Sequence, residues 1–128
     1  MRRAAPVLVA LSLVAGGCGG SESTTSEAQT PQIVIESPRP GDSVTSPIHV
    51  SGTANVFEAT VSFEVRDGSG KVVLRDFTTA TAGNGTRGTF DKLLAIPGLS
   101  GRATIVAFEA SAEDGTPLHV VRVPVTVR

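Results

Sequence analysis

The sequence predicts an all-β fold, an antiparallel β-sandwich of about seven strands, behind a signal peptide and a disordered tether. Three observations carry that prediction. From Gln32 onward, short runs rich in Val, Thr and Phe are separated by clusters of Gly, Pro, Asp and Asn at the spacing of a sandwich. Within Thr60–Arg66, Val61, Phe63 and Val65 fall on one face and Thr60, Ser62, Glu64 and Arg66 on the other, the period of a half-buried strand. The 128 residues include eight Pro, one Met and no Trp or Tyr, a mixture that favours strands and turns over helices.

The predicted strands are Ile33–Glu36, Ile48–Thr53, Thr60–Arg66, Lys71–Phe77, Arg87–Ala95, Ala103–Ala112 and His119–Val127. Their number is that of a minimal immunoglobulin-like sandwich. The sixth is apolar on both faces through Ile105, Val106, Ala107 and Phe108, as a central strand would be. In the seventh, Val121, Val123, Val125 and Val127 share a face, and Pro124, which lacks a donor, puts the strand at an edge or a bulge. Asp67-Gly68-Ser69-Gly70 and Asp114-Gly115-Thr116-Pro117 read as hairpin turns. Ser37–Pro47 and Ala80–Thr86 read as longer loops.

Upstream of the domain, Arg2 and Arg3 form a positive n-region, and Ala4–Ala15 is an apolar run ending at Gly16-Gly17-Cys18. Twelve residues are too few for a helix to cross a bilayer core, which takes about 20. The run reads as a signal h-region. Small residues directly before a cysteine resemble the lipobox of bacterial lipoproteins, in which the cysteine is acylated and becomes the first mature residue. The place three before the cysteine, usually Leu, holds Ala15.

Residues 1–17 are accordingly read as a lipoprotein signal peptide and Cys18 as the lipidation site. Two or three acyl chains would anchor the protein stably on the extracytoplasmic side of the cell membrane. Cys18 is the single cysteine, so no intramolecular disulfide can form and the domain must stand on its core. Residues 18–31 form the tether: Gly19–Pro31 holds no aliphatic side chain larger than Ala and cannot bury enough surface to order itself. Its typical reach is roughly 20 Å.

Function classes narrow by composition. The eleven Lys and Arg are spread singly, apart from Arg2-Arg3, and the formal net charge is −1, so no phosphate-binding stripe and no nucleic-acid footprint are visible. The only histidines are His49 and His119, and the one cysteine belongs to the anchor, so the usual zinc set cannot be assembled. Glu58, Glu109, Glu113 and Asp114 could converge on a cation. No Asp/Asn ladder accompanies them, and structural roles in turns and across the sandwich account for them better. No Gly-x-Ser-x-Gly elbow or other catalytic signature is present. The expectation is a non-catalytic protein without cofactor or metal.

Several stretches together resemble one family. Ser37-Pro38-Arg39-Pro40-Gly41-Asp42, Val44, Ser46-Pro47, Val50-Ser51-Gly52-Thr53-Ala54 and Phe57-Glu58-Ala59-Thr60-Val61 are similar to the Gmad2 immunoglobulin-like domain of bacterial sporulation and spore-germination proteins. Gly88-Thr89-Phe90, Phe108–Gly115 and the Val-rich end continue the similarity, so it covers residues 32–128. The resemblance implies an extracytoplasmic β-sandwich, often carried by lipoproteins and often paired with a GerMN domain, for which the interval from Cys18 to Gln32 has no room. It supplies no catalytic residues.

Two binding roles then compete: docking on an envelope protein and binding of wall polysaccharide. Sugar-binding faces commonly stack aromatic rings, and of the five Phe, Phe63, Phe90 and Phe108 are wanted by the core. Phe57 and Phe77 are less committed. An exposed Phe57 beside the Ser37–Pro47 loop, with Glu58 next to it, would be an aromatic anchor for a partner. Protein docking, by that anchor or by strand addition at an edge, is the favoured expectation.

Overall fold

The computed structural model describes residues 30–128. The signal peptide, Cys18 and all of the tether but Thr30 and Pro31 lie outside the described residues. The Pro31 carbonyl accepts a hydrogen bond from Arg87 Nη2 at 2.6 Å, which ties the entry of the chain to the domain.

The strands are β1 (Ile33–Ser37), β2 (Ser43–Val44), β3 (Ile48–Ala54), β4 (Thr60–Asp67), β5 (Val72–Thr79), β6 (Gly88–Leu94), β7 (Gly101–Ala110) and β8 (Pro117–Val127). They form two sheets, in the orders β1-β3-β6 and β2-β8-β7-β4-β5. The result is the expected immunoglobulin-like sandwich. Seven strands match the predicted runs, and the eighth, β2, is a two-residue strand within the Ser37–Pro47 loop that pairs parallel to the end of β8. It is too short to carry a sequence signal.

Side-chain alternation determines what each strand buries. Val61, Phe63 and Val65 from β4, Ala103, Ile105 and Ala107 from β7, and Val123, Val125 and Val127 from β8 face the three-stranded sheet. That sheet contributes Ile33, Ile48, Val50, Phe90 and Leu94. The rings of Phe63 and Phe90 meet across the sandwich, tilted by 57° with centroids 5.8 Å apart, a favourable aromatic geometry. Gly52 is required by close approach: a Cβ there would run into the Val34 carbonyl and come within 2.9 Å of the Phe90 ring.

The central position expected of the sixth run is found, since β7 lies between β4 and β8. β8 is not the edge strand expected from Pro124, since β2 lies outside it, but Pro124 precedes the short stretch that pairs with β2. The Pro124 carbonyl accepts the Gly41 N–H at 2.8 Å, on the side away from β7, so the missing donor removes no β7–β8 ladder bond. Both predicted hairpins close as expected. In the first, Asp67 Oδ1 accepts the N–H groups of Ser69 and Lys71 and the Ser69 hydroxyl. In the second, the Thr116 N–H and hydroxyl bind Asp114 Oδ1.

Two expectations about phenylalanines need correction. Phe108 is half-buried on the outer face of the five-stranded sheet, because Ala107 and Ile105 take the inward positions and strand periodicity turns residue 108 outward. Phe57 lies nowhere near the Ser37–Pro47 loop. The loop enters β3 at Ile48 and Phe57 follows its other end at Ala54, so the length of a strand, about 20 Å, separates them.

Candidate functional site

Phe57, Glu58 and Ala59 form a single 3-10 turn between β3 and β4. Buried Val56 anchors its start, and the Val56 carbonyl accepts the N–H of Ala59 and of Asn84, each at 3.0 Å. Glu58 and Ala59 are both in the left-handed region, with φ of 54° and 57°. Neither is glycine, so each carries of the order of 1–3 kcal/mol of backbone strain that the surroundings must hold in place.

Those surroundings come from distant parts of the chain. Asn84, itself left-handed at φ 54° as Asn tolerates, accepts the Glu58 N–H on its side-chain oxygen at 2.9 Å. Asn55 reciprocates by accepting the Gly85 N–H at 2.9 Å. From the opposite sheet, Glu109 Oε2 accepts the Phe57 N–H at 3.2 Å, while Oε1 faces His119 Nε2 at 3.6 Å. Gly83 packs directly beneath the turn: a Cβ there would lie 2.7 Å from the Ala59 nitrogen.

The outcome is an aromatic side chain, 51% exposed, on a turn whose backbone is pinned from three directions. Beside it opens a shallow cleft of ≈ 280 Å³ lined by Gln32, Asn55, Asn84, Glu109 and His119. Of the expected partner-binding residues, Phe57 offers its ring to solvent, and the Glu58 side chain is exposed with no ion pair among the described residues. Cys18, the lipidation candidate, lies outside the described residues.

Glu58, Glu109, Glu113 and Asp114 do not converge on one site. Glu109 serves the Phe57 turn, Asp114 serves its own hairpin, and among the described residues no group of three or more His, Cys, Asp or Glu is arranged to hold a metal. Asn84 and Asn55 were not legible as a clamp. The Asn84-Gly85 pair signals a left-handed turn, but nothing in sequence says which amide it would receive.

A second feature occupies the outer face of the five-stranded sheet. Ser62 pairs with Phe77 of β5 on one side and Phe108 of β7 on the other, so two rings flank one small residue. They border a hollow of ≈ 520 Å³. Phe77 is 59% exposed.

Among solved structures, the fold is similar to CopC from Methylosinus trichosporium OB3b, with 25% identity, a TM-score of 0.44, and coverage of 74% of this chain and 90% of that one. It is also similar to the C-terminal domain of wzt, with 14% identity, a TM-score of 0.45, and coverage of 67% and 63%. No curated protein matches the sequence. The alternating β4, the β3 glycine, the first hairpin and the Phe57 turn all fall within residues 32–116, which match the immunoglobulin-like domain of bacterial spore germination, and the chain belongs to that family, Gmad2.

Proposed function

We propose that the protein is a non-catalytic lipoprotein, held by Cys18 on the extracytoplasmic side of the cell membrane, whose domain docks an envelope protein through Phe57 and Glu58. The observation that carries this reading is the strained, externally pinned turn that presents Phe57. A backbone held in two consecutive left-handed residues, under an aromatic ring left half in water, is preorganised for contact and gains nothing as core. The family description supports a setting in spore germination or sporulation.

The test is crosslinking in intact cells from a photoreactive residue at position 57. The expected result is a discrete protein adduct that is lost in Gly83→Ala, which displaces the turn, while that variant still exports and folds. Recovery of uncrosslinked monomer alone would overturn the docking reading. Cys18→Ala should release the protein from the membrane fraction, and unchanged retention would overturn the anchor.

A second reading, binding of a polysaccharide, is favoured by one specific observation. Phe77 and Phe108, flanking Ser62 on the outer face, offer the ring surface that the sequence alone had assigned in part to the core.

A further inference from the structure

Along the same outer face, strand pairing assembles arginines that are far apart in sequence. Arg66 of β4 stands opposite Thr104 of β7, which stands opposite Pro124 of β8. Arg102 lies two residues from Thr104 along β7, and Arg122 lies two residues from Pro124 along β8. By strand rise and spacing their Cα atoms are about 8–14 Å apart. All three side chains line one hollow of ≈ 480 Å³, together with Thr104 and Thr126.

Charge on this face is one-sided. Arg66, Arg75, Arg102 and Arg122 project from it, whereas among the described residues Glu64 is the single carboxylate facing outward from these strands and is already engaged by Arg66 at 2.8 Å and Arg75 at 3.4 Å. Asp67, at the rim, turns its carboxylate into its own hairpin. Arg102 and Arg122 make no side-chain hydrogen bond or ion pair among the described residues. Their guanidinium groups are therefore available to an oxyanion, for which the planar donor fork is well matched.

The arginine hollow and the Phe77–Phe108 hollow are neighbours. They meet at the row Arg75–Glu64–Val106–Arg122, which runs across all four long strands. We propose that this face binds an anionic polysaccharide: a sugar ring rests on Phe77 and Phe108, and its carboxylate or phosphate groups are taken by Arg102 and Arg122, with Arg66, held by Glu64, adding only its charge to the hollow. The proposal rests on the polysaccharide reading above and adds the charge of the ligand and the residues that select it. It is independent of docking at Phe57, which lies at the end of the sandwich and not on this face.

The experiment is titration calorimetry of the full-length chain, at low ionic strength, against polygalacturonate, phosphomannan and neutral dextran. Binding is expected to one or both charged polymers and not to dextran, the two distinguishing carboxylate from phosphate. Arg102→Gln/Arg122→Gln should weaken it by about tenfold or more, and Phe77→Ser should weaken it as well. Arg87→Gln/Lys92→Gln, an equal charge change just before and within β6 of the other sheet, should leave it unchanged, with thermal melting reporting that each variant is folded. Dextran binding that survives the Arg102/Arg122 change would overturn the anionic assignment while leaving the polysaccharide reading intact. Binding to none of the three polymers would overturn both. Equal loss in the control pair, or adsorption to phosphatidylglycerol vesicles without polymer binding, would overturn the site in favour of unspecific charge or a membrane surface.

Discussion

The carboxylate of Glu109 accepts the backbone N–H of Phe57 at 3.2 Å across 52 residues of chain, joining the five-stranded sheet to the turn that leaves the three-stranded one. Its side chain is only 14% exposed, so the bond is partly shielded from water. Glu109→Ala should lower stability by about 1–2 kcal/mol, read as a shift in the urea midpoint. Hydrogen exchange at the Phe57 amide should speed up. An unchanged midpoint with unchanged exchange would show that the turn holds without this bond.

The five phenylalanines should separate sharply by position. Phe63 is 1% exposed against Phe90, and Phe63→Ala should cost about 3–5 kcal/mol through lost transfer energy and the cavity left behind. Phe77→Ser, at an exposed edge-strand position, should change stability by no more than about 0.5 kcal/mol. Denaturant titration of both variants checks the contrast, and comparable losses would contradict the outward placement of Phe77.

Gly52 tests the packing within the three-stranded sheet. Its missing side chain lets the Val34 carbonyl and the Phe90 ring close over β3, and Gly52→Ala should destabilise by about 2–3 kcal/mol through overpacking. Gly70→Ala meets no neighbour but strains a φ of 89° in the first hairpin. The two losses should respond differently to Phe90→Leu, which frees space only at Gly52. Thermal melting of the double variants reads this out.

The two hairpin aspartates should contribute to acid sensitivity. The Ser69 hydroxyl, followed by the Lys71 N–H, holds the Asp67 carboxyl below its usual range; the Thr116 N–H and hydroxyl do the same for Asp114. A carboxyl whose pKa is lowered by folding stabilises the protein above its unfolded value, and that contribution is lost as pH falls through the folded one. The decline in melting temperature below about pH 4 should therefore be shallower in Asp67→Asn/Asp114→Asn than in the parent. Parallel pH profiles would show that these turns contribute nothing to acid sensitivity.

Much of the fold was legible in local pattern. The alternation of Val61, Phe63 and Val65 and the Asp-Gly hairpins follow from the period of a strand and the chemistry of a turn, which a chain states within ten residues. The same period, counted from Ala107, would have put Phe108 outside; reading the run as apolar on both faces obscured it. The expected exposure of Phe57 is found, but its expected neighbourhood is not, because adjacency across a sandwich depends on which end of β3 the chain leaves.

What the sequence determined by itself is the all-β class, the strands, and the inward faces of β4 and β8. Each rests on interactions between residues a few positions apart. Only the tertiary structure decided that Glu109, Asn84 and Gly83 converge on Phe57, and that Arg66, Arg102 and Arg122, scattered singly along the chain, line one hollow. Those placements arise from sheet order and register, and register is set by the packing of the whole core.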